Sequence, residues 1–235
     1  MNVGKNIAGQ EHVIWSKDGR RMYFDGYCLV LDEFKGFVLG TISKLKEVLM
    51  ELLFEDLEYI QTVDLNGLND NHRMQDFKYS YLSEEGNGLS DGGSKMLKRL
   101  ERSVQLSEMI STENGRVEFK ADGMRRYLSK VTRFLELLFL VVHITAGQPG
   151  RGTEITSVKY LNMIQMMRGI YVMDGQVMLV TEYYKSREMT DEPQVIARFL
   201  SYEVGVYLTV YLSMVLPFIQ LFEEERNLKY SKGWL

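Results

Sequence analysis

Apolar and polar positions along the chain change their period several times, and each change predicts a different element. Residues 32–61 place apolar side chains at helical spacing, and the same spacing returns over 95–110 and from 123 to about 145. The third of these segments becomes apolar on all sides past Leu137, which predicts a helix buried in the middle of a domain. A last apolar helix is predicted over 201–215.

Two other segments favour strands instead of helices. Residues 14–27 and 169–181 each contain an Asp-Gly pair, which supplies the positive backbone angles that a tight hairpin turn needs. A third strand is predicted over 195–199. Residues 62–92 are rich in Asn, Asp, Gly and Ser, and predict a long surface connection with at most one short helix.

Together these elements predict an α+β fold in which helix predominates. Residues 1–120 are expected to form a mainly helical N-terminal region with an opening hairpin. Residues 121–235 are expected to form an α/β part with a small three-stranded antiparallel sheet. A length of 235 residues suffices for one large domain or two small ones, with a sizeable core.

Charge and composition narrow the classes of function. The formal net charge is -4, so a contact with nucleic acid requires a local basic face, because bulk charge does not supply it. The single cysteine, Cys28, excludes an internal disulfide and a cysteine-cluster metal site, and we expect its side chain to be buried. The three histidines match no metal spacing, so the sequence predicts neither a metal nor a cofactor.

The sequence also bears on location. The most apolar stretch, residues 134–144, is too short to span a bilayer, and the N-terminus lacks the apolar run of a secretory signal. We therefore expect an intracellular protein without a membrane contact. The lone cysteine is consistent with a reducing compartment.

The glycine-rich run 146–154 places an arginine and a glutamate three residues apart where a helix is predicted to begin. Backbone amides at a helix N-terminus favour an anion, so Arg151 could hold a phosphate there. Glu154 could orient the Arg151 side chain by accepting hydrogen bonds from the guanidinium or from the preceding loop. Lys185, in the turn after the hairpin, could reach the same phosphate. The alternative is an exposed Arg-Glu pair and an ordinary turn lysine.

Basic residues recur at helical spacing on two predicted helices, and two more follow the second hairpin. Lys95, Lys98, Arg99 and Arg102 lie on the first helix, Arg125, Arg126, Lys130 and Arg133 on the second, and Arg187 and Arg198 farther along the chain. Two such stripes could clamp a duplex through its phosphates without reading the bases. Solvated faces of amphipathic helices explain the same pattern equally well.

The residues around Arg151 resemble the first half of a tyrosine recombinase catalytic domain. The resemblance rests on Ala146-Gly147, on Arg151 and Glu154, and on a hairpin followed by Lys185. It implies a helical DNA-gripping region ahead of a mixed α/β catalytic domain. It also implies that Arg151 and Lys185 are catalytic, with Glu154 as the acidic residue behind the arginine.

A second likeness covers nearly the whole chain. Residues 126–138, 147–154 and 195–200 are similar to the N-terminal region of large fungal proteins linked to telomeric or mobile DNA, where such a region precedes a helicase. The likeness implies a fungal origin and a nuclear location. That family continues into a His-x-x-Arg segment and a nucleophilic tyrosine, but no His-x-x-Arg occurs in this sequence. We therefore expect either a fragment of a longer protein or a truncated copy.

Two functions follow from these patterns. The first is a DNA-associated, recombinase-like module that binds the phosphate backbone without cleaving a strand, so activity as an enzyme is not expected from this chain alone. The second is a catalytically inactive interaction protein with no DNA role. It would bind a protein partner or a second copy through exposed apolar residues of the last helix, namely Tyr207, Tyr211, Met214 and Phe218.

Overall fold

A computed structural model describes residues 13–113, 116–147, 151–183 and 194–225. These residues form a mixed α+β structure in which helix predominates, as the sequence predicts. The chain divides into two compact units between Ser43 and Lys44. The predicted division between residues 120 and 121 lies inside the second unit.

The first unit contains a three-stranded antiparallel sheet, with the strands adjacent in chain order. Its strands are β1 (Val13–Trp15), β2 (Arg21–Phe24) and β3 (Tyr27–Val30). Asp25 and Gly26 connect β2 to β3 with φ values of 45° and 84°, as in a two-residue turn that matches strand twist. The sequence predicted a single hairpin here, so β3 is an addition. Cys28 on β3 is exposed, so its predicted burial is wrong.

Helix α1 (Leu31–Leu52) begins directly after β3 and continues into the second unit. Four α-helices come next in the described part of this unit. They are α2 (Glu58–Thr62), α3 (Gly92–Glu101), α4 (Leu106–Met109) and α5 (Ala121–Thr145). The predicted helix over 95–110 is therefore broken between α3 and α4.

The long connection between α2 and α3 holds more structure than predicted. It contains three short 3-10 helices, Leu65–Gly67, Tyr81–Ser83 and Glu85–Asn87. In the second of these, the Ser80 hydroxyl accepts a hydrogen bond from the backbone N–H of Leu82. The Ser83 hydroxyl accepts one from the backbone N–H of Ser80. Such local side-chain bonds favour single turns over longer helices.

Among the described residues, five further strands form two antiparallel sheets. The first is the hairpin β4 (Ile110–Glu113) and β5 (Arg116–Phe119). From the sequence, residues 113–116 predict a turn but not the two strands. The short helix α6 (Gly152–Thr156) follows α5. The predicted three-stranded sheet is confirmed, with β6 (Ile170–Met173), β7 (Gln176–Tyr183) and β8 (Gln194–Phe199) paired in chain order.

The last helical run continues beyond the predicted end. Helix α7 (Tyr202–Val210) passes through a π-helical turn (Tyr211–Val215) into α8 (Leu216–Glu225). Pro217 has no N–H to donate to the carbonyl of Ser213, and the π-helical turn lies at this point. A Cβ on Gly92 would lie 1.6 Å from the Ser213 carbonyl oxygen, so only glycine lets α3 approach the π-helical turn this closely.

Aromatic side chains of this run form the centre of the second unit's core. The Tyr211 ring stacks on Phe134 of α5 with a centroid separation of 5.1 Å, and Phe218 meets Tyr127 edge-on at 5.3 Å. Residues Tyr202–Glu223 are long and apolar enough to cross a membrane, but 78% of their most apolar window is buried in the protein. That burial is typical of a core helix.

Candidate nucleic-acid interface

Helix α5 separates apolar and basic side chains onto opposite faces. Its inner face buries Tyr127, Val131 and Phe134, while Arg126 and Lys130 lie one turn apart on the outer face. This follows from a repeat of 3.6 residues per turn, which brings positions i and i+4 together. The predicted second stripe, Arg125, Arg126, Lys130 and Arg133, therefore lies on a helix, and its side chains are between 40% and 79% exposed.

Each of these four cations already has a carboxylate partner. Arg126 Nη2 lies 3.1 Å from Glu108 Oε2, and Lys130 Nζ lies 2.8 Å from Glu51 Oε2. Arg125 and Arg133 pair with Asp122 and Glu136 within the helix, at 2.9 and 3.3 Å. Exposed pairs of this kind contribute about 0–1 kcal/mol, so a phosphate oxygen can replace the carboxylate at low cost. The carboxylates also reduce the positive potential of the face.

Arg126 and Lys130 line a cleft of about 290 Å³ next to α4 and α5, together with Gln105, Glu108, Met109, Gly123 and Tyr127. A Cβ on Gly123 would lie 2.3 Å from the backbone oxygen of Glu108, so glycine permits the close approach of the two helices. Two cations and an amide are donors that suit an anionic oxygen. The cleft is large enough for a phosphate group.

Tyr127 does not supply a nucleophile to this cleft. Burial raises the pKa of Tyr127 well above its usual range, because desolvation penalises the phenolate. Its hydroxyl donates to the backbone oxygen of Leu52 at 3.0 Å. The hydroxyl is therefore neutral and committed to a structural hydrogen bond.

The stripe on α3 is less uniform than predicted. Arg99 Nε lies 3.1 Å from Asp56 Oδ2 in a half-buried pair, and Lys95 Nζ donates to the Gly88 carbonyl at 3.3 Å. Lys98 and Arg102 are exposed. Arg99 and Lys95 are thus engaged in local structural contacts, whereas Lys98 and Arg102 remain exposed cations.

Arg151 is exposed at the position before α6, as the sequence predicts. Glu154 accepts a hydrogen bond from the backbone N–H of Arg151 at 3.2 Å, so the glutamate caps the helix. Lys185, which is predicted to reach the same phosphate, and Arg187, which is predicted to add positive charge, lie outside the described residues. Both assignments remain predictions.

Arg198 does not lie on a basic surface. Its side chain is buried on β8, and its Nη1 donates to Thr181 Oγ1 on β7. The prediction that Arg198 adds charge to an exposed face is therefore corrected. The physical reason is the pairing of the strands, which places the guanidinium beside a hydroxyl acceptor inside the fold.

The four residues predicted to form a partner surface on the last helix are also buried. Tyr207, Tyr211, Met214 and Phe218 have relative exposures of 2%, 2%, 7% and 0%. The prediction of exposed apolar surface there is wrong. The ring of Tyr211 packs on Phe134 of α5, and the ring of Phe218 packs on Tyr127 of α5 and on Phe54, two residues after α1. A helix that is apolar on all sides belongs in a core.

No sequence pattern predicts the buried ionic cluster around Arg168. Arg168 Nη2 lies 2.7 Å from Asp70 Oδ1, and neither side chain is exposed. The guanidinium carbon lies 4.7 Å from the Tyr79 ring centroid and 4.5 Å from that of Tyr171. Asp70 Oδ2 also accepts from the backbone N–H of Val172 at 2.9 Å. The cluster ties the long connection after α2 to β6.

Comparison with known proteins assigns no family to the chain. No protein-family model matches the sequence, and no solved structure matches it significantly. The resemblance to tyrosine recombinases, which rests on Arg151, Glu154 and Lys185, therefore stays a prediction. Among the described residues, no group of three or more His, Cys, Asp or Glu side chains could hold a metal ion.

Proposed function

We propose that this chain is a DNA-associated module that holds the phosphate backbone of a duplex without cutting it. The observation that supports the proposal is the cleft lined by Arg126 and Lys130, with further cations on the same face of α5. By the recombinase resemblance, Arg151 and Lys185 would add a second phosphate contact. No His-x-x-Arg segment occurs in the sequence, so strand cleavage is not part of the proposal. The role implies a nuclear location.

Phosphate binding at the cleft requires an exchange of partners. Arg126 would donate two N–H groups to phosphate oxygens in place of Glu108, and Lys130 would exchange Glu51 for the same or a neighbouring phosphate. Contacts to two phosphates change log K by about -1.8 per unit of log salt concentration, at about -0.9 per phosphate. Because the chain is acidic and the carboxylates remain close, we expect weak binding that ignores base sequence.

The test is a fluorescence-anisotropy titration of a labelled duplex at two salt concentrations, roughly 50 and 200 mM, over which backbone binding changes strongly. We expect the Arg126→Gln/Lys130→Gln variant to bind more weakly and to show a shallower salt dependence. The matched control is Lys35→Gln/Arg73→Gln, which removes one lysine and one arginine at exposed positions elsewhere. We expect the control to bind like the wild type.

Two results would contradict the proposal. If the wild type does not bind at low salt, the DNA role is wrong and the interaction-protein alternative gains support. If the control weakens binding as much as the cleft variant, net charge and not the cleft determines binding. The Arg151→Ala/Lys185→Ala variant tests the recombinase resemblance separately, because a loss of affinity is expected only if those residues meet a phosphate.

A further inference from the structure

The sheet of the first unit has one face dominated by aromatic side chains. Residues directly opposite each other in an antiparallel sheet share a face, and alternate residues of one strand share it too. The pairs Val13–Phe24, Trp15–Met22, Phe24–Tyr27 and Met22–Leu29 therefore define one face. We call it the aromatic face; it consists of Val13, Trp15, Met22, Phe24, Tyr27 and Leu29. The opposite face holds one aromatic residue, Tyr23, beside Ile14 and Cys28.

The rings of the aromatic face are exposed to an unusual degree. Trp15, Phe24 and Tyr27 have relative exposures of 53%, 49% and 79%. Phe24 and Tyr27 lie directly opposite each other, and Trp15 lies diagonal to Phe24, so all three rings fall within a short distance. Large apolar residues clustered in this way at a surface indicate a binding site.

Positive charge borders the aromatic face at one end. Lys17 and Arg20 lie in the turn between β1 and β2, and both are exposed. The acidic residue of that turn, Asp18, is engaged locally, because its Oδ1 accepts from Ser16 Oγ at 2.6 Å and from the backbone N–H of Arg20 at 3.1 Å. The turn therefore presents more positive than negative charge to a ligand on the aromatic face.

We propose that the aromatic face binds single-stranded nucleic acid. Bases stack on Trp15, Phe24 and Tyr27, and the backbone phosphates meet Lys17 and Arg20. Exposed aromatic rings next to cations are the arrangement that single strands recognise, and stacking tolerates every base because each has a π-face. An apolar protein surface would use the apolar area but would gain nothing from the cations, so charge complementarity favours a polyanion.

This inference goes beyond the duplex proposal and does not depend on it, because the aromatic face and the cleft on α5 share no residue. Paired bases in a duplex cannot stack on the sheet without unpairing. We therefore expect an oligothymidine single strand to bind the aromatic face and a blunt duplex to leave it free. Oligothymidine and oligouridine together distinguish a DNA ligand from an RNA ligand.

Trp15 reports binding directly. The chain has two tryptophans, Trp15 and Trp234, so the Trp234→Phe variant leaves Trp15 as the sole fluorophore of this kind. In that background we expect saturable quenching by oligothymidine that weakens as salt is raised. Phe24→Leu and Tyr27→Leu keep an apolar side chain but remove the stacking ring. Each should weaken binding at least about fivefold, the lower end of the contribution of one stacked base.

Two further variants keep the test decisive if a ring substitution disturbs the sheet. Lys17→Gln/Arg20→Gln changes only exposed turn residues, and should weaken binding and flatten its salt dependence. Ile14→Ala lies on the opposite face and should leave binding unchanged. The proposal is overturned if oligothymidine and oligouridine both fail to quench Trp15, or if the leucine variants bind like the parent. It is also overturned if sedimentation shows that the chain self-associates without nucleic acid and if the Trp15 fluorescence changes with that self-association alone.

Discussion

The two three-stranded sheets of this chain have the same topology and opposite surroundings. Both are antiparallel with strands in chain order, and both contain an Asp-Gly turn, at Asp25-Gly26 and at Asp174-Gly175. In β6–β8 four apolar side chains are buried, those of Ile170, Val172, Val177 and Leu179, although Val195 and Phe199 on β8 are exposed. In β1–β3 the large rings are exposed. The same local pattern thus builds a core element in one place and a candidate binding surface in the other.

Contacts from distant parts of the chain account for the burial of the sheet β6–β8. Helix α7 packs on β7, and a Cβ on Gly205 would lie 3.1 Å from both Val177 and Leu65 side chains. The Arg168–Asp70 pair holds the connection after α2 against β6 from the other direction. If this comparison is right, substitutions in β6–β8 should affect stability, whereas substitutions on the aromatic face of β1–β3 should affect binding.

The largest difference is expected for the buried arginine. Arg168→Leu leaves the Asp70 carboxylate buried without its partner, and removing one member of a buried pair costs about 3–5 kcal/mol of unfolding free energy. Arg21→Leu in the first sheet changes an exposed residue and should stay within about 0.5 kcal/mol. Urea unfolding followed by circular dichroism measures both. Similar costs for the two variants would contradict the comparison.

A second contrast concerns apolar strand residues. Leu179→Ala on β7 removes a side chain that is 2% exposed, and we expect a cost of about 2–5 kcal/mol. Ile14→Ala on β1 removes a side chain that is 67% exposed, and the cost should be below about 1 kcal/mol. Thermal unfolding of the two variants tests this. A large destabilisation by Ile14→Ala would mean that the first sheet is also covered.

The two Asp-Gly turns give a smaller but well-matched contrast. Both glycines have positive φ, 84° at Gly26 and 72° at Gly175, so alanine should cost roughly 1–2 kcal/mol at either. A Cβ on Gly175 would also lie 2.1 Å from Asn66 Oδ1, while a Cβ on Gly26 meets nothing within 4 Å. We therefore expect Gly175→Ala to cost about 1 kcal/mol more. Equal free energies of unfolding would show that Asn66 moves away freely.

The smallest expected effect is an acid titration in the first sheet. Hydrogen bonds from Ser16 and from the backbone of Arg20 lower the pKa of Asp18 below its usual value of 3.8. A lowered folded-state pKa gives stability that is present above pH 3.8 and is lost as the pH falls through the folded pKa. The amide signal of Arg20, followed by NMR, should titrate below pH 3.8, and Asp18→Asn should abolish the change. A titration at or above the usual pKa would contradict the hydrogen bonding.

Local patterns predicted the elements that depend on neighbours in sequence. The hairpin at 169–181 is confirmed by the pairing of β6 and β7. It was predictable because its strand period and its Asp-Gly turn are both local signals. Strand β3 was missed although its Asp-Gly turn is of the same kind, and β4–β5 was reduced to a turn. The broken helix between α3 and α4 was missed because the apolar spacing continues through the break.

The candidate site was predictable only in part, because charge pairing depends on the fold. Helical spacing placed Arg126 and Lys130 on one face, but it could not show that Glu108 and Glu51 lie against them. Asp70 lies 98 residues before Arg168, so no local signal connects them. The sequence analysis expected exposed apolar residues on the last helix, but a helix that is apolar on all sides indicates a core helix.

Hydrogen–deuterium exchange of the full chain, with and without oligothymidine and a duplex, would show whether the sheets β1–β3 and β6–β8 differ in role. It would also show whether single strands and duplexes contact different residues. We predict that oligothymidine protects residues 13–30, that the duplex protects residues 123–133, and that β6–β8 does not change with either. Absence of protection in 13–30 with oligothymidine, or equal protection of both sheets, would contradict the account.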